Sequence, residues 1–140
     1  GNPAFGNRLI ENPALAGNAI SLALSRAAFL HWLSAITGCG PLVLAEGRVV
    51  QTEVESGGWL DWHGDTDHGR RLGITIHLSN CTYTGGAFEL RRLAETPLLF
   101  SHGQAEIGDV AIFALAPDLI HRLLPLHSGG PRLVYTGWFK

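Results

Sequence analysis

The chain has 140 residues, the size of one ordinary domain. Hydrophobic residues make up 46% and charged residues 16%, which excludes disorder, since disorder needs low hydrophobicity and high net charge. The net charge is −2, with Lys140 the one lysine; that excludes the broad basic face of a nucleic-acid binder, and two cysteines are too few for a disulfide framework.

The first dozen residues, rich in Gly, Asn and Pro, read as loop. The chain starts at Gly1 and has no Met, so a trimmed N-terminus is expected. Residues 14–24 are Ala/Leu-rich and helix-capable. A second helix is expected from Ser25 to Thr37. Ser25 serves as its N-cap, Phe29, Leu30, Leu33 and Ile36 recur at helical spacing, and Gly38 ends it. His31 on this helix reads as a surface or packing residue. No apolar stretch reaches the ~18 residues of a membrane helix.

After Pro41 the pattern changes. Segments 42–45, 48–54, 71–79, 86–92, 97–101, 109–114 and 132–139 read as strands. Turns such as Ser56-Gly57-Gly58, Gly85-Gly86 and Gly129-Gly130-Pro131 separate them. Short strands at this spacing, preceded by helices, predict a mainly β sandwich or barrel with N-terminal helices. In 71–79, Arg71, Gly73, Thr75 and His77 alternate with Leu72, Ile74, Ile76 and Leu78. Period two puts the polar set on one face. In 132–139, Arg132, Val134, Thr136 and Trp138 share a face in the same way. Such faces meet solvent or line an internal pocket, and the site below favours the pocket.

The seven histidines direct attention to metal and acid–base chemistry. The densest cluster of ligand types is 61–68, which contains the H-x-D of His63-Gly64-Asp65. Chance alone yields roughly 0.25 such tripeptides in a chain of this composition, so the motif by itself is weak. Two further elements follow in order: His121, 56 residues past Asp65, and Arg132, 11 residues past His121. Two imidazoles and one carboxylate on one face of a metal suit the facial triad of non-haem iron(II) oxygenases. In extended backbone, residues i and i+2 point the same way, so His63 and Asp65 can reach one ion.

On these residues the chain resembles the 2-oxoglutarate/Fe(II)-dependent dioxygenases, on their prolyl 4-hydroxylase-like side. The likeness covers about residues 50–140. It rests on the blocks 58–65, 70–80 and 85–90, and on 121–126 followed by 132–139. It implies a double-stranded β-helix, or jelly roll, with helices about 1–40 and the core about 41–140 as one oxygenase domain. It implies Fe(II), 2-oxoglutarate and O2, with His63, Asp65 and His121 as iron ligands. Arg132 matches the residue that pairs with the far carboxylate of 2-oxoglutarate, a task suited to a bidentate guanidinium. Thr136, His77 and Thr75 are further co-substrate candidates; His77 stands where many relatives carry a tyrosine. Trp138 is expected to pack beneath the site.

The expected activity is hydroxylation of a C–H bond in a peptidyl or free amino-acid-like substrate. Nucleobase repair and a non-catalytic cupin-like module are the alternatives. A small molecule or a peptide is the expected partner, with no nucleic acid and no membrane. With Cys39 and Cys81 as free thiols, the expected compartment is cytoplasmic. His127 competes with His121 for the third ligand position, and His121 is preferred because His127 lies too close to Arg132 along the chain. Asp67, His68 and His102 read as loop or surface residues; Asp61 and Trp62 read first as packing and solvated residues and second as substrate contacts. Glu53 and Glu55 are on the strand leading to the motif, without the geometry of a glycosidase pair. The pairs Arg70-Arg71 and Arg91-Arg92 read as local pairs, or as a weak phosphate-contacting patch.

Overall fold

The computed structural model describes residues 8–54, 59–94, 97–103 and 105–140. Gly1, Glu55 and the turn Ser56-Gly57-Gly58 lie outside the described residues.

Two helices lie in the N-terminal part of the described chain, after one two-residue strand: α1 (Leu15–Leu24) and α2 (Ala27–Thr37). Ser25 ends α1 and does not cap α2: its hydroxyl donates to the Ser21 carbonyl at 2.7 Å and accepts from the Ala45 amide at 2.9 Å. That second bond fastens the helix junction to the sheet. Arg26 occupies the N-cap of α2 in extended conformation. Gly38 ends α2 with φ 68, a left-handed conformation that costs a residue without Cβ little. Of the periodic apolar set, Leu30 and Leu33 are buried, whereas Ile36 is 60% exposed. Among the described residues no single helix is long and apolar enough to cross a membrane.

Eleven strands follow the described chain in order: β1 (Leu9–Ile10), β2 (Ala45–Thr52), β3 (Leu60–His63), β4 (Leu72–His77), β5 (Tyr83–Gly85), β6 (Phe88–Arg92), β7 (Leu98–His102), β8 (Val110–Ala114), β9 (Leu119–Leu123), β10 (Leu126–Gly129) and β11 (Arg132–Phe139). They form a five-stranded sheet in the order β1-β2-β11-β4-β8, a four-stranded sheet in the order β3-β9-β6-β7, and the pair β10-β5. Every pairing is antiparallel. The mainly β reading with leading helices therefore holds. The expected initial loop contains β1, which adds an edge to β2. β3, β5, β9 and β10 are absent from the sequence reading; they are short, and their apolar alternation is broken by His, Asp, Gly and Ser.

The five-stranded sheet has two different faces because its side chains alternate. One face packs on the helices. Leu72 and Ile74 of β4, and Tyr135 and Phe139 of β11, join Leu30, Leu33 and Ala45 in one core cluster. Each fully buried side chain of this size contributes roughly 1.5–3 kcal/mol. Tyr135 is completely buried, and its hydroxyl meets the Ser21 hydroxyl at 2.8 Å, which ties α1 to the sheet. The opposite face carries Thr75 on β4, and Arg132, Val134, Thr136 and Trp138 on β11; these residues line a cavity. The polar alternation thus marks an internal wall and not a solvent face.

Candidate metal centre

His63 ends β3 and His121 is central in β9, and the two are direct register partners. The pairing is irregular between Leu60 and His63. Their rings lie 4.2 Å apart, centroid to centroid. Asp65 follows two residues after His63 and brings Oδ2 to 3.5 Å from His63 Nε2 and 3.3 Å from His121 Nε2. One ligand atom from each of the three residues lies within 4.8 Å of the other two. Neither Asp67, His68 nor His127 belongs to this group among the described residues. All three are exposed, the first two on a single 3-10 turn and His127 on β10.

The tautomer of His63 follows from its surroundings. Nδ1 lies 2.6 Å from the carbonyl oxygen of Asp61. A carbonyl only accepts, so Nδ1 carries the proton and Nε2 presents its lone pair to the cluster. Asp61 therefore acts through its backbone, while its exposed carboxylate accepts from the Trp62 amide at 2.8 Å. His121 is 7% exposed and packs against the rings of Phe88 and Phe113.

Electrostatics bind the three groups together. Burial pulls the His63 pKa down, but the Asp65 carboxylate and the Asp61 carbonyl outweigh it, and the net shift is upward. For Asp65, burial acts upward; hydrogen bonds and charge from His121 and His63 overcome it and hold the carboxyl far below the usual range. His121 is shifted down, chiefly by burial. An ionised carboxylate flanked by two imidazole nitrogens is a donor set of the type and number that suits Fe(II). By donor chemistry and convergence the residues present fit that ion.

A cavity of about 320 Å³ opens beside the cluster. Its wall on β11 includes Arg132, which is 4% exposed and whose Nε has no hydrogen-bond partner. Thr52, the register partner of Arg132 on β2, is 2% exposed with an equally unpartnered hydroxyl. Burial lowers the Arg132 pKa, and the nearby Tyr83 hydroxyl partly offsets that effect. A buried guanidinium with no carboxylate within ion-pair distance among the described residues is costly unless an anion meets it. Unsatisfied donors and an adjoining cavity fit a carboxylate such as that of 2-oxoglutarate.

Thr136 and Thr75 are register partners across β11 and β4, and both line the cavity. His77, two residues beyond Thr75 on the same face, is not part of the lining. It is 7% exposed and its Nδ1 is unpartnered. Its ring meets His102 edge-on at 5.8 Å, so His102 is a half-buried neighbour of His77 and not a plain surface residue. Trp138 lines the cavity, with the Arg70 guanidinium 3.7 Å over its ring.

Sequence reasoning missed Thr52 and Tyr83 beside Arg132, and Arg8, Arg48 and Arg122 in the cavity wall. Thr52 and Arg48 alternate with core positions on β2, and that period was the available signal. Arg8 and Tyr83 carry no local signal. The arginine pairs form no patch: Arg71 donates to the Cys39 carbonyl, Arg70 stacks on Trp138, Arg91 covers Trp62, and Arg92 pairs with Asp118.

A family model for the 2OG-Fe(II) oxygenase superfamily matches residues 48–140. The chain belongs to the 2OG-Fe(II) oxygenase superfamily. The match spans β2 to β11 and includes all three residues of the cluster and Arg132. Members of this superfamily are oxygenases that use Fe(II), 2-oxoglutarate and O2, and the His63–Asp65–His121 donor set agrees with that iron chemistry.

Solved structures share the oxygenase fold. A Pseudomonas putida prolyl-4-hydroxylase aligns with TM-score 0.68 at 18% identity, over 99% of this chain and 74% of that one. A 2OG-Fe(II) oxygenase family oxidoreductase from Burkholderia pseudomallei aligns with TM-score 0.66 at 13% identity, over 96% and 64%. A Trichoplax adhaerens prolyl hydroxylase, in complex with a hypoxia inducible factor oxygen degradation domain peptide fragment, aligns with TM-score 0.59 at 17% identity, over 99% and 65%. The chain therefore spans less than two thirds of the last two. No curated protein sequence matches this oxygenase.

Proposed function

We propose that this oxygenase is a prolyl-hydroxylase-like enzyme that hydroxylates a C–H bond of an amino-acid-like substrate, free or within a peptide. We read residues 1–140 as one oxygenase domain, its two facing sheets the halves of a double-stranded β-helix. The observation that carries the reading is the placement of a buried Arg132, with no carboxylate partner among the described residues, and the His63–Asp65–His121 cluster around one cavity.

In this reading His63, Asp65 and His121 hold iron, which supplies the oxidising chemistry when bound. Arg132 binds the far carboxylate of 2-oxoglutarate, and Thr52 and Thr136 complete its polar surroundings. Thr75 borders the same space. His77 acts one layer behind, as a neutral neighbour of Arg132, and makes no direct co-substrate contact. The Asp61 carbonyl keeps the proton of the neutral His63 ring on Nδ1, so that Nε2 presents its lone pair to the metal. Phe88 and Phe113 dry the side of the cavity next to His121.

The partner expected for such a cavity is a small molecule or an extended peptide segment. Cys39 and Cys81 are both unbridged, which supports the expected reducing, cytoplasmic compartment. Succinate release from 2-oxoglutarate with added Fe(II) tests the activity. Wild type is expected to release succinate and Asp65→Ala to release none. No release by wild type, together with metal binding unchanged in Asp65→Ala, refutes the reading.

A further inference from the structure

The two oxygens of Asp65 meet different neighbours. Oδ2 faces the imidazoles, 3.5 Å from His63 Nε2 and 3.3 Å from His121 Nε2. Oδ1 faces Arg70, whose Nη1 lies 4.0 Å away. The chain reverses between the two residues. His68 (φ 58) and Gly69 (φ 74) are consecutive left-handed residues in that turn. A residue with a Cβ rarely takes this conformation, and it persists where the surroundings hold it. The Arg70 amide closes the turn on the Asp67 carbonyl at 3.2 Å, and the Arg71 amide joins the sheet at the Phe139 carbonyl, at 2.8 Å.

The Arg70 side chain is held from behind. Its guanidinium carbon lies 3.7 Å over the Trp138 ring, and its Nε lies 3.8 Å from Glu46 Oε1. Glu46 and Trp138 are register partners on β2 and β11, so one rung of the sheet supplies both contacts. Lys140 Nζ takes the same Glu46 oxygen at 3.0 Å. Charges therefore alternate along Lys140, Glu46, Arg70 and Asp65, and the series ends at the donor cluster. A guanidinium stacked on an indole has few orientations left, so the charge beside Oδ1 is fixed in place. Arg70 also lines the cavity with Asp65, and its side chain is 19% exposed.

We propose that Arg70 is a positioning residue of the metal centre: it engages Oδ1 of Asp65, so that this carboxylate offers an ion Oδ2 alone. The proposal rests on the reading of His63, Asp65 and His121 as iron ligands. A facial triad works by leaving positions open on the ion. A carboxylate can bind through one oxygen or through both. Without Arg70, Oδ1 is free to turn inward and take one of the positions that the co-substrate and O2 need.

Mn(II) tests the proposal, because water-proton relaxation on Mn(II)-loaded protein counts the exchangeable waters left on the ion. Arg70→Gln is expected to lower the relaxation enhancement by about a third, since one open position is lost. It is expected to bind Mn(II) about threefold more tightly, because a competing charge has left the carboxylate. The non-reacting co-substrate analogue N-oxalylglycine is expected to bind that loaded variant about tenfold more weakly. A merely structural defect weakens both ligands together, so the opposite signs separate the two explanations.

Arg70→Lys keeps the charge without the planar stack and is expected to lie between wild type and Arg70→Gln. Arg71→Gln is expected to match wild type, since Arg71 is exposed and donates to the Cys39 carbonyl. Unchanged relaxation in Arg70→Gln, joint weakening of Mn(II) and N-oxalylglycine, an Arg70→Lys protein no closer to wild type, or the same change in Arg71→Gln overturns the proposal. Failure of wild type to bind Mn(II) instead overturns the metal-site reading on which it stands.

Discussion

His63 and His121, 58 positions apart in the chain, face each other as register partners across β3 and β9, and Asp65 brings one carboxylate oxygen within 3.5 Å of both Nε2 atoms. The pairing of two short strands therefore assembles the centre, and the H-x-D supplies only half of it. Replacement of His121 by Ala is expected to abolish Fe(II) binding, measured by calorimetry or by the metal content of purified protein. His127→Ala is expected to leave binding intact, since His127 is exposed on β10. The reverse outcome refutes the assigned triad.

Arg132→Ala removes a buried guanidinium from the wall of the cavity. Hydrogen bonds to charged groups are worth about 1.5–3 kcal/mol, so 2-oxoglutarate affinity is expected to fall by about ten- to a hundredfold. Iron affinity is expected to change little, because Arg132 is not in the donor cluster. Equal loss of both ligands counts against its role.

His77 links stability to pH. Burial first, then the charges of Arg132 and His102, lower its pKa from 6.5 to about 4; Asp109 opposes them. The folded protein thus keeps His77 neutral where the unfolded chain already binds a proton. Stability from this group is complete above pH 6.5 and declines as pH falls from 6.5 to about 4. At full extent the loss is roughly 3 kcal/mol. Urea midpoints measured across that window are expected to fall in wild type and to fall less in His77→Gln. A slope identical in both proteins excludes His77 as its source. Asp65 acts separately, since its depressed pKa places its loss at lower pH.

The helical layer is expected to unfold with the sheet. Leu33 is 1% exposed and packs in the same cluster as Phe139 and Ile74, so Leu33→Ala is expected to cost about 2–5 kcal/mol. Tyr135→Phe breaks the 2.8 Å contact with Ser21 and is expected to cost about 1 kcal/mol. Chemical denaturation of the two variants checks both magnitudes. A Leu33→Ala loss below that of Tyr135→Phe contradicts the core described here.

The sequence by itself determined the ligand types and their order. Histidine, aspartate, histidine and arginine at these spacings indicate one chemistry, and the period-two pattern of β4 and β11 marks which residues share a face. That much is local, because strand alternation depends only on neighbouring residues. The tertiary structure decided the rest. β3 and β9 exist as strands because they pair with each other and, for β9, with β6; neither has an apolar period strong enough to read alone. His77 shares a face with Thr75 yet stands outside the cavity, because its place along β4 is beside Arg132 and His102, beyond the wall. Tyr83 reaches Arg132, and Arg8 joins the cavity wall, only through the meeting of distant segments. Such juxtapositions depend on register and on side-chain reach across strands, which no spacing along the chain encodes.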